Sequence, residues 1–165
     1  MSKLHFDIRP FAESDLASLH FIREAAFAPV FRSFRALVGA NLAKIVYATA
    51  EEDQGEWLDM MCDAKSHHRV LVATTSDHVV GFCGYSIDTR IALGELGLNA
   101  VLPEFSGQGI GSAIYEYAID MMRADGAKAA IVGTGSDASH AAARRAYEKA
   151  GFLAAVPSVH LSRTI

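Results

Sequence analysis

The apolar positions of this chain change spacing several times, and each change marks an element. His5-Phe6-Asp7-Ile8-Arg9 alternates and stops at Pro10, which predicts a first strand. Ser14 or Asp15 then starts a helix with Leu16, Leu19, His20, Ile22, the stem of Arg23 and Phe27 on its inner face, and Pro29 is expected to end it. Phe34, Leu37, Val38, Leu42, Ile45 and Val46 recur at helical spacing and predict a second helix from Phe31 to about Ala48. A third starts near Gln54 and runs through Trp57, Leu58, Met60 and Met61.

The pattern then turns to strands. Arg69 to Thr75 and His78 to Ile87 are apolar runs joined by Ser76-Asp77, a two-residue hairpin connection, and Ile91 to Leu102 follows after Asp88-Thr89-Arg90. A glycine-rich loop leads into a helix with Ile110, Ala113, Ile114, Tyr117, Ala118, Met121 and Met122 on one face, stopped by Gly126. Ala129 to Val132 is a short buried strand, the helix holding Tyr147 ends at Gly151, and Phe152 to Val156 and Ser158 to Ser162 are expected to close the sheet around Pro157. This order predicts an α/β (α+β) fold with one mixed, mostly antiparallel sheet flanked by helices. No repeat or low-complexity linker divides the chain, so residues 1–165 are expected to form a single domain.

The loop carries the most specific chemistry. Val101-Leu102-Pro103-Glu104-Phe105-Ser106-Gly107-Gln108-Gly109-Ile110-Gly111-Ser112 breaks a strand at a proline and enters a helix through three glycines. Glycines let successive N–H groups converge with no Cβ in the way, and the helix start adds its positive dipole end, which suits a pyrophosphate. The spacing is not the Gly-x-Gly-x-x-Gly of a dinucleotide fold, Lys128 comes where that fold's second strand would begin, and no Gly-Lys pair occurs for a Walker loop.

Composition narrows the classes further. A chain of 165 residues is long enough to bury roughly 70% of its unfolded surface. A net charge of -4 argues against nucleic acid as a partner. Cys62 and Cys83 fit neither a disulfide framework nor zinc and read as core thiols, and His67, His68, His78 and Cys62 match no ligand spacing, so no metal is expected. No apolar run reaches membrane-spanning length and no signal segment opens the chain, which makes the cytoplasm the expected address, with no membrane partner.

Two flanking stretches give the loop its context: Glu95-Leu96-Gly97-Leu98-Asn99-Ala100-Val101 before it, and Ser139-His140-Ala141-Ala142-Ala143-Arg144-Arg145-Ala146-Tyr147-Glu148-Lys149-Ala150-Gly151-Phe152 after it. Together these resemble the GNAT superfamily of acyl-CoA-dependent N-acetyltransferases. Ser106 through Gly111 resembles its Gln/Arg-x-x-Gly-x-Gly/Ala motif, and His140 through Phe152 resembles its Asn-x-x-Ala-x-x-x-Tyr-x-x-x-Gly-Phe motif, with Ser106 in place of Gln or Arg and His140 in place of Asn. The resemblance implies a sheet whose two central strands splay to admit an acyl-pantetheine arm. It also implies acetyl-CoA as co-substrate and transfer to an amine of a small molecule or peptide; a homodimer is left open. An acyl-CoA-binding regulatory module without turnover is the alternative. The residues that match the cofactor-binding positions are Asn99, Ala100, Val101, Leu102, Ser106, Gly107, Gln108, Gly109, Ile110, Gly111, Ser112, His140, Ala143 and Tyr147.

Direct transfer needs a neutral amine and an acid for the departing thiolate. Tyr147 suits the acid, because a phenol of pKa about 10 keeps its proton at neutral pH and can pass it to a thiolate of about 8.5. Glu95, eleven residues before Ser106, is the expected base and by alternation should share a strand face with Asn99. An ordinary carboxylate is a weak base for an ammonium, so it would act through water or with a raised pKa. For His140, contact with the pantetheine arm, a role as base and a surface position at the helix start all remain open; Arg144 and Arg145 read as solvated, and Asp137 or Ser139 as the helix cap. The helical layer from Phe27 to Trp57 is expected to border the acceptor site, with Glu51, Glu52, Asp53, Glu56 and Asp59 able to attract a cation and Phe31, Tyr85 and Arg90 as further lining candidates.

Overall fold

The computed structural model describes residues 4–76 and 78–165. Asp77 of the expected Ser76-Asp77 connection lies outside the described residues, while Ser76 itself has a positive φ of 44°, as a tight turn requires. Five strands form one open sheet in the order β1 (Asp7–Pro10), β2 (Arg69–Thr75), β3 (His78–Asp88), β4 (Leu93–Val101) and β5 (Ala129–Val132). The first four run antiparallel, and β5 joins β4 in parallel after a crossover through a helix. The mixed α/β sheet expected from the order of elements is therefore present.

Helices α1 (Leu16–Val38), α2 (Ala40–Val46) and α3 (Ala50–Cys62) precede β2, α4 (Ile110–Ala124) makes the crossover, and α5 (Ala141–Lys149) follows β5. Two sheet glycines show which layer covers which face. A Cβ on Gly84 would collide with Met61 of α3, whereas one on Gly94 would collide with Met122 of α4. The α1/α3 layer thus covers one face and α4 the other, and Leu19, Ile22, Leu58, Phe82, Ile114 and Met122 fill the two interfaces with at most 1% of their surface exposed. Each such side chain contributes about 1.5–3 kcal/mol relative to an exposed one.

Buried polar contacts join the edges of this frame. Asp15, at the foot of α1, accepts both guanidinium nitrogens of Arg9 on β1 (2.7 and 2.9 Å) and the N–H of Ala12 (2.8 Å). The Arg9 hydrogen bonds outweigh burial and hold the Asp15 carboxyl below its ordinary value. Arg23 crosses from α1 to the Glu51 carbonyl (3.1 Å) and so ties α3 to α1.

Pro29 does not end the first helix; α1 runs through it to Val38. An internal proline costs ~3 kcal/mol, but continuing the helix buries Val30 and Phe31, at about 1.5–3 kcal/mol each, so burial wins. The expected second helix is cut instead at Gly39, whose φ of 83° α-helical residues do not adopt, and α3 begins at Ala50 rather than near Gln54. Leu37, Ile45 and Val46, read as inward-facing, are exposed.

The two closing strands are absent. Beyond Phe152 the chain forms no strand, and Leu153, Val156, Val159 and Leu161 are 79–94% exposed. Among the described residues β5 therefore has β4 on one side and an open edge on the other.

Candidate active site

The site lies where β4 and β5 part. Their ladder runs from Leu93 opposite Ala129 to Leu96 opposite Val132 and stops there, although β4 continues to Val101. Among the described residues Gly97 through Val101 consequently have β3 on one side and no strand on the other, which is the splay that the resemblance implied.

A bulge in β4 sorts the side chains around this gap. Cys83 stands opposite Asn99 but Tyr85 opposite Leu96, so β4 spends three steps where β3 spends two. One extra residue inverts the facing of everything beyond it. Asn99 therefore shares the α4 face with Leu96, while Glu95, opposite Ser86, lies on the α1/α3 face. The expected common face of Glu95 and Asn99 is overturned: they flank the sheet from opposite sides.

On the α4 face, Asn99 anchors a buried polar cluster. Its Nδ2 donates to the Gly97 carbonyl (2.8 Å) and to Tyr147 Oη (3.0 Å), and its Oδ1 accepts the hydroxyl of Tyr115 (2.6 Å). Tyr147 Oη also lies 3.2 Å from Asn99 Oδ1, so the phenol proton can rest on that oxygen or turn away from it. The two tyrosine rings stack at 4.8 Å between centroids, and Phe152 meets Tyr147 edge-on. Burial raises the Tyr147 pKa and outweighs the opposing hydrogen bond from Asn99; burial likewise pushes Tyr115 far above the ordinary phenol range. Both phenols stay protonated through neutral pH.

Sequence reasoning missed Tyr115 and selected Tyr117, which is exposed. The α4 face actually buried is Ile110, Ile114, Tyr115, Ala118 and Met122. Of the remaining β4 residues, Ala100 and Leu102 are buried and Val101 is half-buried.

At the end of the gap the glycine loop opens. Gly107 and Gly109 have φ of 77° and 87°, and a Cβ on either would meet nothing within 4 Å, so the space above them is free. Gly109 is the N-cap of α4, and no side chain caps that helix. The first bond into the helix is Ala113 N–H to the Gly109 carbonyl (3.0 Å), and among the described residues the N–H groups of Gly107, Gln108, Gly109, Ile110, Gly111 and Ser112 have no backbone acceptor. Ser106 spends its N–H on Pro103, and the Gln108 side chain braces the loop on the Glu104 carbonyl (3.2 Å). Uncapped amides at a helix start, backed by the dipole, favour a negatively charged group.

On α5, Ala143 and Tyr147 are one turn apart, and His140, at the N-cap, is two turns, about 10 Å, from Tyr147 on the same face. His140 Nδ1 pairs with Asp137 Oδ1 (2.7 Å), and its ring stacks on Phe34 of α1. Asp137 also accepts the Ser139 N–H (3.1 Å), the Ser139 hydroxyl and the Ser33 hydroxyl (3.0 Å), so it caps the turn before α5 and fastens it to α1. Burial raises its pKa, but the bonds from Ser139, His140 and Ser33 win and hold it well below the usual carboxylate range. Arg144 donates to the carbonyls of Gly135 (2.6 Å) and Asp137 (2.8 Å) and is occupied there.

The other face is more open. Glu95 is exposed, and its charge reaches His68, which lies against Trp57 of α3. Burial and the neighbouring His67 lower the His68 pKa despite Glu95, so the imidazole is neutral at pH 7. Of the acids expected to attract a cation, Glu51 is held by Arg35 (2.6 and 2.5 Å), Asp59 by His20 (2.8 Å), and Asp53 accepts the Thr49 hydroxyl (2.9 Å), leaving Glu52 and Glu56 in solvent. Tyr85 and Phe31, offered as lining residues, belong to the core, and Arg90 is exposed and paired with Asp88. A groove of about 640 Å³ lies between α1 and α2, lined by Arg35, Ala36, Ala43, Lys44 and Tyr47.

Neither cysteine suits a covalent role. Burial pushes Cys83 far up, and burial with the charge of Asp59 pushes Cys62 up to about 11, so neither is a thiolate at pH 7. Among the described residues no three metal-ligating side chains converge, and no helix is long and apolar enough to cross a membrane.

Comparison with known proteins agrees with this geometry. Residues 37–152 match the model of the acetyltransferase (GNAT) family. The chain is similar in structure to a GNAT family acetyltransferase from Brucella melitensis in complex with acetyl-CoA, at 25% identity and a TM-score of 0.63, covering 91% of this chain and 84% of that one. It also superposes on a putative GNAT acetyltransferase from Desulfovibrio desulfuricans (20% identity, TM-score 0.70, 92% and 87% covered). A third similar structure is the aminoglycoside N-acetyltransferase AAC(6')-Iy bound to the bisubstrate analogue CoA-S-monomethyl-acetylneamine (16% identity, TM-score 0.62, 98% and 99% covered). A search of curated proteins finds no match. The family match spans more than half of the chain, and the chain belongs to the GNAT family of acetyltransferases.

Proposed function

We propose that residues 1–165 act as one N-acetyltransferase domain that moves the acetyl group of acetyl-CoA directly to a primary amine of a small molecule or a peptide. The observation that carries this reading is the interrupted β4–β5 ladder, with free amides at its end, the Asn99–Tyr115–Tyr147 cluster on one face and Glu95 on the other. The similar Brucella protein holds acetyl-CoA, and AAC(6')-Iy holds an analogue joining CoA to an amine, which supports the same pairing of ligands here.

The residues present fit acetyl-CoA, because the six unpaired N–H groups from Gly107 to Ser112 suit a diphosphate and the unpaired side of Gly97–Val101 suits the amides of a pantetheine arm. Bound there, acetyl-CoA supplies an activated acyl carbon and a thiolate leaving group. Ser106, Gly107, Gln108, Gly109, Ile110, Gly111 and Ser112 hold the diphosphate. Asn99, Ala100, Val101 and Leu102 flank the arm on β4, and His140 and Ala143 flank it from α5. Tyr147 holds its phenol proton at Oη and delivers it to the departing sulfur. Asn99 fixes that oxygen by donating to it, which leaves the phenol proton free to turn toward the gap. Glu95, on the opposite face, removes the proton of the incoming amine through water, with neutral His68 beside it as a second acceptor. Acid and base thus act from opposite sides of the sheet on a group lying between β4 and β5.

The test is release of free thiol from acetyl-CoA across a panel of small amines and peptides. Thiol should form only with an accepted amine, and Glu95→Gln should slow the reaction most at low pH, where the amine is protonated. Its defect should shrink as the amine loses its own proton. A defect equal at every pH removes Glu95 from the role, and no thiol with any amine leaves a binding module.

A further inference from the structure

Of the three polar side chains that meet at the gap, Asn99 and Tyr147 have tasks in the proposed chemistry and Tyr115 has none. Tyr115 projects from α4 one turn beyond Gly111, with 5% of its surface exposed. Its hydroxyl donates to Asn99 Oδ1 at 2.6 Å, the shortest bond of the cluster. A phenylalanine would fill the same space, so packing alone does not account for the hydroxyl.

The Asn99 amide can be turned in only one sense. The Gly97 carbonyl has no proton to give, so the end of the amide 2.8 Å from it must be Nδ2, and Oδ1 is left for the tyrosines. Tyr147 Oη stands within reach of both ends, 3.0 Å from Nδ2 and 3.2 Å from Oδ1. Accepting from Nδ2 leaves its own proton free, whereas donating to Oδ1 ties that proton down. The Tyr115 hydroxyl biases the choice, because it lies closer to Oδ1 than Tyr147 does and fills one of that oxygen's two acceptor sites. A short bond at Oδ1 also polarises the amide and strengthens donation from Nδ2 at its other end.

We infer that Tyr115 is a positioning residue: by occupying Asn99 Oδ1 it keeps the Tyr147 proton directed into the gap. This rests on the reading of Tyr147 as the acid. During transfer the proton passes from Tyr147 Oη to the departing sulfur and solvent returns one to Oη, while Tyr115 keeps its own proton throughout. Burial suits it to that task by holding it protonated far past the ordinary phenol range. The stacked rings, 4.8 Å between centroids, hold both hydroxyls on the same amide.

Tyr115→Phe removes the hydroxyl and keeps the ring, including its packing under the cradle, where a Cβ on Gly111 would lie 3.8 Å from ring atoms. With Oδ1 unoccupied, the buried amide takes the Tyr147 proton. The kcat with one accepted amine should then fall by about tenfold, the worth of a neutral hydrogen bond that must break before transfer. The KM for acetyl-CoA, and the melting shift that acetyl-CoA gives, should match wild type. A double-mutant cycle separates positioning from structure: Tyr115→Phe combined with Tyr147→Phe should be no slower than Tyr147→Phe alone, because the proton to be directed is gone. Undiminished kcat in Tyr115→Phe, a loss confined to KM, or a double variant slowed by the product of the two single effects would each overturn the inference. A fully active Tyr147→Phe, or a wild-type chain that binds acetyl-CoA and acetylates no amine, would instead remove the acid itself, and the inference with it.

Discussion

Tyr147→Phe should lower kcat by about 10²-fold while leaving the KM for acetyl-CoA nearly unchanged, because it removes only the proton held at Oη. The ring remains, so its stack with Tyr115 and its contact with Phe152 survive. The Asn99 amide loses one acceptor but keeps the Gly97 carbonyl and the Tyr115 hydroxyl. A pH profile gives a second readout. Burial raises the Tyr147 pKa, so in wild type the acid should remain competent past the ordinary phenol value of about 10. Steady-state kinetics with one accepted amine decides the matter, and wild-type turnover in Tyr147→Phe would withdraw the role and leave His140 as the next group to examine.

The second large effect is expected at Gly109. Gly109→Val should abolish the thermal stabilisation that acetyl-CoA gives to the wild-type protein, whereas Ser106→Ala should retain it. The physical reason is conformational. Gly109 sits at φ 87°, where a β-branched residue is strained, and relief of that strain turns the amides of the cradle away from a common point. Apart from its chain neighbours, no described atom lies within 4 Å of its Cβ position, so the added side chain would project into the open space of the loop rather than into the core. Ser106 spends its N–H on Pro103 and offers only a hydroxyl. NAD should stabilise neither protein, since the glycine spacing differs from that of a dinucleotide fold. Equal melting shifts with NAD and acetyl-CoA, or a tolerant Gly109→Val, would refute the cradle.

The parts of this site that were legible in the sequence are those fixed by local spacing. The loop from Ser106 to Ser112 and the position of Tyr147 four residues before Gly151 depend on a few neighbouring residues and one helix period. Features that depend on pairing were not legible. The extra residue in β4 inverts the face of Asn99 relative to Glu95, and nothing in Glu95-Leu96-Gly97-Leu98-Asn99 marks it, because Gly97 and Leu98 fit a straight strand equally well. Tyr115 was missed because apolar residues wrap most of the way around α4. Only docking on β3 and β4 selects Tyr115 over Tyr117. Pro29 shows the same limit from another side, since a local breaker is overruled by the burial of Val30 and Phe31. The pattern of Ser158 to Ser162 reads as a strand, yet among the described residues it pairs with no other strand.

The central claim is direct transfer between two substrates held on opposite faces of one gap, with no acylated protein on the way. Both thiols are held protonated at neutral pH by burial, so neither is the ready thiolate that an acyl carrier would use. The most direct measurement mixes the protein with acetyl-CoA alone, follows free thiol and the mass of the intact chain, and then adds an accepted amine. The account predicts no thiol and no acetylated protein before the amine, then one thiol released for each acetylated amine. A stoichiometric burst of thiol with a covalently acetylated chain before any amine is added would contradict it.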